Sequence, residues 1–334
     1  MNKESTKIIN AFCEQSLAVV GDVMLDKYIW GHSNRISQEA PVPVVLVKNE
    51  TYVPGGAANV ARNVLSLGGN ASIFGIVGND LEGTQLEQCL LEKGVETSTL
   101  LRSKNRGTTV KTRVLAGNQQ VVRIDREETD DVSISERHIM LRTLETSIKS
   151  GKIKAVILED YAKGLFSKSF MASLVLLCKK YNVMSALDPH PNNPYNIKGL
   201  TFMTPNRNEA FALAGVKYVP GCGNPLHDAP LLNVASRLMR SWHPQYLLIT
   251  LGAEGMALFS EKMSIPLHIP TQARQVFDVS GAGDTVMATM MLSLMSGASP
   301  ETAAKIANQA AGVVVGRVGT SAIEADVLKK AMDM

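Results

Sequence analysis

The segment Asp278-Val279-Ser280-Gly281-Ala282-Gly283-Asp284-Thr285 carries the residue types of phosphoryl transfer. Two glycines flanking one alanine let a backbone turn tightly and approach a ligand closely. The apolar run from Thr285 to Met295 predicts a helix that starts there. Free N–H groups at a helix N-terminus form an anion site. Asp284 then falls in the first turn, where the helix dipole favours its ionised form. Amides that hold developing charge, beside a carboxylate that accepts a hydroxyl proton, suit phosphoryl transfer. Taken alone, the segment is equally well read as a plain capped helix start. The dinucleotide-binding fingerprint fails, because Val286 stands where its third glycine belongs. No GxxxxGK(S/T) loop exists; Gly312 to Thr320 is glycine-rich without matching it.

Three further groups could meet this one. Gly55-Gly56-Ala57-Ala58-Asn59 opens a helix of small residues, where a ligand can reach the backbone and Asn59 offers a donor and an acceptor. Close helix–sheet packing is the alternative there. Thr204-Pro205-Asn206-Arg207-Asn208-Glu209 follows one predicted strand, and Thr250-Leu251-Gly252-Ala253-Glu254-Gly255 ends another. Each is weak alone. Their shared placement, near strand ends or helix starts, is the stronger signal.

The elements that would position them are short β-branched runs alternating with helical periods. Strands are predicted at Leu17 to Val20, Ser72 to Val77, Ala155 to Leu158, Val183 to Leu187, Leu200 to Met203 and Tyr246 to Thr250. Helices are predicted at Ala57–Leu67, Leu81–Lys93, Ser135–Lys149, Ser167–Tyr181, Asn206–Ala214 and Ala229–Arg240. This rhythm predicts an α/β fold, a mostly parallel sheet with helices on both faces. Ligands then bind beyond the carboxyl ends of the strands. Residues 28–50 and 108–125 lack helical period and read as extra strands forming a small β-lid, the second as a hairpin turning at Gly117-Asn118. Two long surface loops are the alternative. No linker is visible, so residues 1–334 read as one domain carrying a lid.

Composition excludes other classes. The chain has 334 residues, 45% hydrophobic and 19% charged, which is an ordinary folded globule rather than a disordered chain. A net charge of +3 and 5% aromatics argue against nucleic acid or an anionic membrane as the partner. Cys13, Cys89, Cys178 and Cys222 form no CxxC, so reduced thiols in a cytoplasmic protein are expected. The N-terminus has no signal-peptide pattern, and Val286 to Met295 is too short to span a membrane and reads as a buried helix.

In order along the chain, GGAAN, NxxE, TxGxxG and DxxGAGD resemble the phosphofructokinase-B, or ribokinase-like, sugar kinase family over essentially its whole length. Gly21 to Tyr28, Arg35 to Val45, Asn118 to Arg123, Asp160 to Gly164 and Ala310 to Thr320 resemble, more closely, its heptose 7-phosphate kinases of lipopolysaccharide core synthesis. In many bacteria that kinase is fused to an adenylyltransferase, and the chain is expected to be a stand-alone kinase or a kinase half. One departure is Asp188-Pro189-His190-Pro191, where these kinases usually carry Asp-Pro-Lys-Gly. A cation becomes a titratable imidazole there.

The resemblance implies a role for each matching residue. Asp284 is the general base, and Gly281, Ala282 and Gly283 supply the amides around the transferring group. Asn206, Arg207, Asn208 and Glu209 face the ATP phosphates, with Glu209 organising Mg2+ through water. Thr250, Gly252 and Gly255 line the phosphate channel, and Asn308 and the Gly312 region lie near adenine. Asp26, Gly55, Gly56 and Asn59 bind the sugar. Lys163, Arg113 and Arg123 are candidates for the substrate phosphate, each with a solvated surface cation as the alternative; His190 is next in line. The implied cofactors are ATP and Mg2+, with a monovalent cation left open.

The implied reaction is ATP-dependent phosphorylation of the C1 hydroxyl of D-glycero-β-D-manno-heptose 7-phosphate. A kinase for another sugar or sugar phosphate, such as ribose or fructose 1-phosphate, is the alternative; an inactive sugar-binding protein is the third reading. The apolar run from Pro41 to Val47 predicts a homodimer through the lid. A separate adenylyltransferase is an expected partner.

Overall fold

The computed structural model describes residues 3–117, 119–263, 265–273, 276–317 and 321–333. Asn118 of the expected hairpin turn, and Val318 to Thr320 of the late glycine-rich stretch, lie outside the described residues. The first third of the chain forms α1 (Lys3–Asn10), β1 (Ser16–Gly21), β2 (Val23–Ile36), β3 (Pro43–Gly56), α2 (Ala57–Ser66), β4 (Asn70–Phe74), β5 (Ile76–Gly78), α3 (Leu81–Leu91) and β6 (Leu101–Ser103). Next come β7 (Val110–Ala116), β8 (Gln119–Arg126), α4 (Ile134–Lys149), β9 (Ala155–Glu159), α5 (Lys168–Lys180), β10 (Met184–Asp188), β11 (Phe202–Met203) and α6 (Arg207–Leu213). The last part forms α7 (Ala229–Trp242), β12 (Tyr246–Thr250), β13 (Met256–Phe259), β14 (Leu267–Ile269), α8 (Ala282–Met295), α9 (Pro300–Val314) and α10 (Ala325–Met332).

Eight strands make the central sheet, in the order β14-β13-β12-β11-β10-β9-β1-β4. The six from β4 to β12 run parallel, and β13 and β14 join antiparallel at one edge. Alternate residues of a strand face opposite sides. Leu17 and Val19 accordingly join a core with α2, α8 and α9, while Ala18 and Val20 join another with α4, α5, α6 and α7. Strands buried on both faces read as continuous apolar runs, which is why LAVV is legible as one. Each fully buried Leu or Val of this kind contributes roughly 1.5–3 kcal/mol. Helix α8 is buried from Asp284 to Ser293, packed against α2 and α9, so its apolar sequence belongs to the core. Among the described residues no helix is long and apolar enough to cross a membrane.

Ser72 to Val77 divides into β4 and β5 at Gly75, where a Cβ would stand 2.7 Å from Val23 Cγ1. A second sheet, in the order β3-β2-β7-β8, contains the segments 28–50 and 108–125. β2 and β3 are 14 residues each and pair antiparallel, and β7 joins β2 in parallel.

Candidate active site

Three strand ends set the floor of the site. β1, β9 and β10 lie side by side, with Gly21 opposite Glu159 and Asp188 opposite Glu159. Asp22, Glu159, Asp160 and Asp188 therefore gather at one edge. Helix α8 points its N-terminus here. Gly281, its N-cap, has φ 78°, a left-handed conformation that favours glycine. Asp284 is the third residue of the helix, as the motif predicts, and is 9% exposed.

Two side chains hold its carboxylate. Asn59 Nδ2 donates to Oδ2 at 2.5 Å and Tyr161 Oη donates to Oδ1 at 2.9 Å. Asn59 was expected beside the sugar; its amide nitrogen instead supports Asp284, while its Oδ1 has no hydrogen-bond partner among the described residues. Burial pushes the Asp284 carboxyl above the ordinary range, and the bonds from Asn59 and Tyr161 and the charge of Arg62 oppose the shift. Burial therefore outweighs the helix dipole, which alone would favour the ionised form.

Asp22 supports both donors. Its backbone carbonyl accepts the Ala57 N–H at 3.1 Å, fixing the start of α2, which carries Asn59. Its carboxylate accepts the N–H groups of Tyr161 (3.0 Å), Lys163 (3.0 Å) and Leu165 (3.3 Å). That loop includes Ala162 at φ 54°. A left-handed alanine costs about 1–2 kcal/mol, and three bonds to one carboxylate offset it.

On the second sheet, Asp26 is 4% exposed and accepts Arg113 Nη1 at 2.6 Å. The Arg113 guanidinium also lies 5.3 Å from the Tyr28 ring centre. Arg113 is thus engaged with the sugar-binding candidate rather than free for a phosphate. A Cβ at Gly55 would stand 2.7 Å from Asp26 Oδ2, so only glycine leaves room for that carboxylate. Gly56 follows as the N-cap of α2. Lys111 is in register with Asp26 and has neither hydrogen bond nor salt bridge among the described residues. Lys163 Nζ pairs with Glu127 at 2.8 Å, and the exposed Arg123 pairs with Asp125 at 3.0 Å. His190, half-buried, is held below its usual value by burial and by the charges of Lys163 and Lys111.

The NxxE and TxGxxG groups do meet, through a bridge between Asn206 and Thr250. Asn206 and Glu209 form a capping box on α6, with Glu209 N donating to Asn206 Oδ1 at 3.0 Å and Asn206 N to Glu209 Oε2 at 2.8 Å. The spacing that suggests a phosphate site is also the spacing a capping box requires. Arg207 departs from the expected ATP contact. Its guanidinium is buried, donating to Asp228 at 2.7 Å and to the Val219 carbonyl at 2.9 Å, because it anchors α6 to the next loop. Asn208 is exposed on α6, Gly252 and Gly255 flank the turn after β12, and Asn308 donates to the Pro270 carbonyl at 2.8 Å.

Sequence reasoning missed Tyr161, Arg62, Asp22 and Glu159. Arg62 lies three residues after Asn59 on α2, and the charges of Asp284 and Asp26 both act on it. That spacing of three, on a helix already singled out, was the available signal. Oxygens of Glu159, Asp188 and Asp284 lie within 4.8 Å of one another, a set that could hold a metal ion. Burial and mutual repulsion push Glu159 and Asp188 well above the carboxylate range. Burial also raises Asp160, to about 6.

A glycine-capped helix start, a buried carboxylate at its head, and a second sheet bearing a buried Asp suit phosphoryl transfer on a doubly wound α/β frame. The sequence pattern of the pfkB family carbohydrate kinases matches residues 14–326, and the chain belongs to that family. It is 42% identical over 321 residues to the bifunctional protein HldE of Desulfatibacillum aliphaticivorans, covering 96% of this chain and 64% of that protein. It is 39% identical over 305 residues to the bifunctional protein HldE of Geobacter sulfurreducens, covering 91% and 60%. The chain thus spans less than two thirds of the length of these relatives. Its fold is similar to that of Arabidopsis thaliana ribokinase complexed with ribose and ATP, with TM-score 0.71, 20% identity, and 96% and 99% of the two chains covered. It is also similar to Escherichia coli phosphofructokinase-2 in complex with potassium, with TM-score 0.75, 19% identity, and 96% and 98% covered.

Proposed function

We propose that the chain transfers the γ-phosphoryl group of ATP to the anomeric C1 hydroxyl of D-glycero-β-D-manno-heptose 7-phosphate, giving the 1,7-bisphosphate and ADP. The observation that carries the reading is Asp284, held by Asn59 and Tyr161 at the head of α8 beside the amides of Gly281 and Gly283; the Ala282 N–H, expected to join them, instead donates to the Val279 carbonyl at 3.2 Å. Asp284 takes the C1 hydroxyl proton as the sugar oxygen attacks the γ-phosphorus. The bond from that phosphorus to the bridging oxygen breaks, and ADP leaves with the electron pair. The amides hold charge on the moving phosphoryl oxygens. Asp26 and Asn59 Oδ1 accept from sugar hydroxyls. The cluster of Glu159, Asp188 and Asp284, with Glu209 nearby, suits a hard divalent cation. Mg2+ there would neutralise phosphate charge. The heptose assignment rests on the lid motifs APVPVV and NQQVVR and on the likeness to the HldE proteins.

The same reading takes residues 1–334 as one kinase domain, with the second sheet as a lid that closes over the sugar and excludes water. Lys163, Lys111 and His190 line the side from which the 7-phosphate is read. The lid also joins two copies. Ile36, Val42, Leu46 and Val47 are exposed on it by 62%, 51%, 70% and 50%, a burial that a second copy would supply. The reaction belongs in the cytoplasm, and the adenylyl transfer that follows belongs to an adenylyltransferase outside these residues. A coupled ADP-release assay across heptose 7-phosphate, heptose, ribose and fructose 1-phosphate tests the substrate. ADP release with heptose 7-phosphate above all others is expected. Preference for an unphosphorylated sugar would replace the reading with a generic sugar kinase.

A further inference from the structure

Asn63 lies on α2 four residues after Asn59, one turn further along the helix, and is 0% exposed. A buried amide is costly unless its polar atoms are paired. Both of them are. Nδ2 donates to the Asn59 carbonyl at 2.9 Å, and Oδ1 accepts the hydroxyl of Thr285, on α8, at 3.0 Å. Thr285 follows Asp284 directly and is also 0% exposed. Its Oγ1 lies 3.0 Å from the Gly281 carbonyl as well, but that carbonyl already accepts the Thr285 N–H at 3.1 Å. A hydroxyl has one proton to give, and Asn63 Oδ1 has no other donor among the described residues. The proton therefore belongs on Asn63.

Two side-chain bonds thus tie α2 to α8: Asn59 to Asp284, and Asn63 to Thr285. Around them Val60 and Val64 of α2 join Val286 of α8 in one apolar core. The hydroxyls of Thr289 and Ser293, one and two turns further along α8, are buried without partners among the described residues. The paired polar groups sit at the turn that carries Asp284. Apolar packing sets how closely two helices approach, whereas a buried polar pair can fix their register.

We propose that Asn63 is a positioning residue: through Thr285 it fixes the register of α2 against α8, and so holds the Asn59 amide on the Asp284 carboxylate. The inference rests on the reading of Asp284 as the base. An amide and a hydroxyl paired in an apolar interior add little net stability over hydrocarbon of the same shape. What the pair adds is placement. Without it the bond from Asn59 loosens, and Asp284 holds its proton more tightly. Arg62 on α2, Asp26 on β2, Tyr161 after β9, and Glu159 and Asp188 at the strand ends also act on this carboxylate. All five stay in place when Asn63 and Thr285 are replaced.

The test is the double variant Asn63→Leu/Thr285→Val, in which both partners become apolar groups of similar shape and neither is left unpaired. Its Tm should equal or exceed that of the wild type. Its kcat should nevertheless fall about tenfold, its KM for ATP should hold within about twofold, and the acid limb of kcat should move to higher pH. Thr285→Ser, which keeps the hydroxyl, should behave as the wild type does. A folded double variant with wild-type kcat and acid limb overturns the proposal. If the double variant does not fold, the acid limb of Thr285→Val against that of Thr285→Ser decides instead. Carbon NMR titration of the Asp284 carboxyl, assigned by its loss in Asp284→Asn, reads the same claim without turnover. Its midpoint should rise in the double variant, and an unchanged midpoint overturns the proposal. That rise in a chain that phosphorylates no sugar leaves the tie standing and removes the kinase reading.

Discussion

Tyr161 donates its hydroxyl to Asp284 Oδ1 at 2.9 Å across 123 residues of chain, and that bond lowers the affinity of the carboxylate for its proton. Asp284 must be ionised to act as a base, and burial holds its value above the ordinary 3.8. Activity should therefore fall as pH drops through that raised value. Tyr161→Phe removes one stabilising bond, so the acid limb of kcat/KM should move to higher pH, with kcat lower by about tenfold at the acid end. An unchanged limb would show that the hydroxyl does not act on the base.

Gly283 and Gly255 separate cradle from scaffold. A Cβ on Gly283 meets only Asp188 Oδ2, at 4.0 Å, so Gly283→Val should keep Tm while weakening ATP binding and turnover. Gly255 has φ 86°, and its Cβ would lie 2.1 Å from the Ile269 carbonyl. Gly255→Ala should cost at least about 1–3 kcal/mol and lower Tm measurably. Normal ATP affinity and turnover in Gly283→Val would move the cradle elsewhere.

Much of this frame is legible in the residues, and the exceptions have physical causes. β1, β9 and β12 announce themselves because strands buried on both faces are continuous apolar runs. β13 and β14 are not legible because they are short: β13 is an apolar, fully buried run of only four residues, and the edge strand β14 has three residues of which only Ile269 is buried. Helix α9 goes unread although its residues carry the signal: Ser299 caps it, Pro300 opens it, and Ala303, Ile306, Ala307, Ala310 and Val314 share a buried face. Asp284 stands out through its neighbours in sequence. Tyr161 and Glu159 do not, because the groups they face, Asp284 on α8 and Asp188 at the end of β10, are distant in sequence. Arg207 looks like a phosphate ligand only until Asp228 is brought to it.

Substrate phosphate recognition should depend on Lys163 and Lys111. A charge-assisted bond contributes about 1.5–3 kcal/mol, so each alanine variant should lose about tenfold or more in kcat/KM on the phosphorylated heptose and much less on heptose itself. Arg123→Ala should change little, since Arg123 is exposed and paired with Asp125. Equal losses on both sugars would point to sugar or fold rather than phosphate. His190→Lys should increase efficiency at alkaline pH, because burial and the two lysines keep the imidazole neutral there.

The lid dimer is checked by light scattering at micromolar concentration. The wild type should run as a dimer, and Leu46→Asp, at a position 70% exposed in the single chain, should run as a monomer. A monomeric wild type would refute the interface.

The central claim is tested most directly by phosphorus NMR of the product formed from ATP and heptose 7-phosphate, by the wild type and by Asp284→Asn. The wild type should yield one new phosphate on the anomeric carbon with one ADP released. The folded variant should bind ATP and form that product roughly 100-fold or more slowly. No anomeric phosphate from the wild type, or near-normal turnover in Asp284→Asn, would contradict the account.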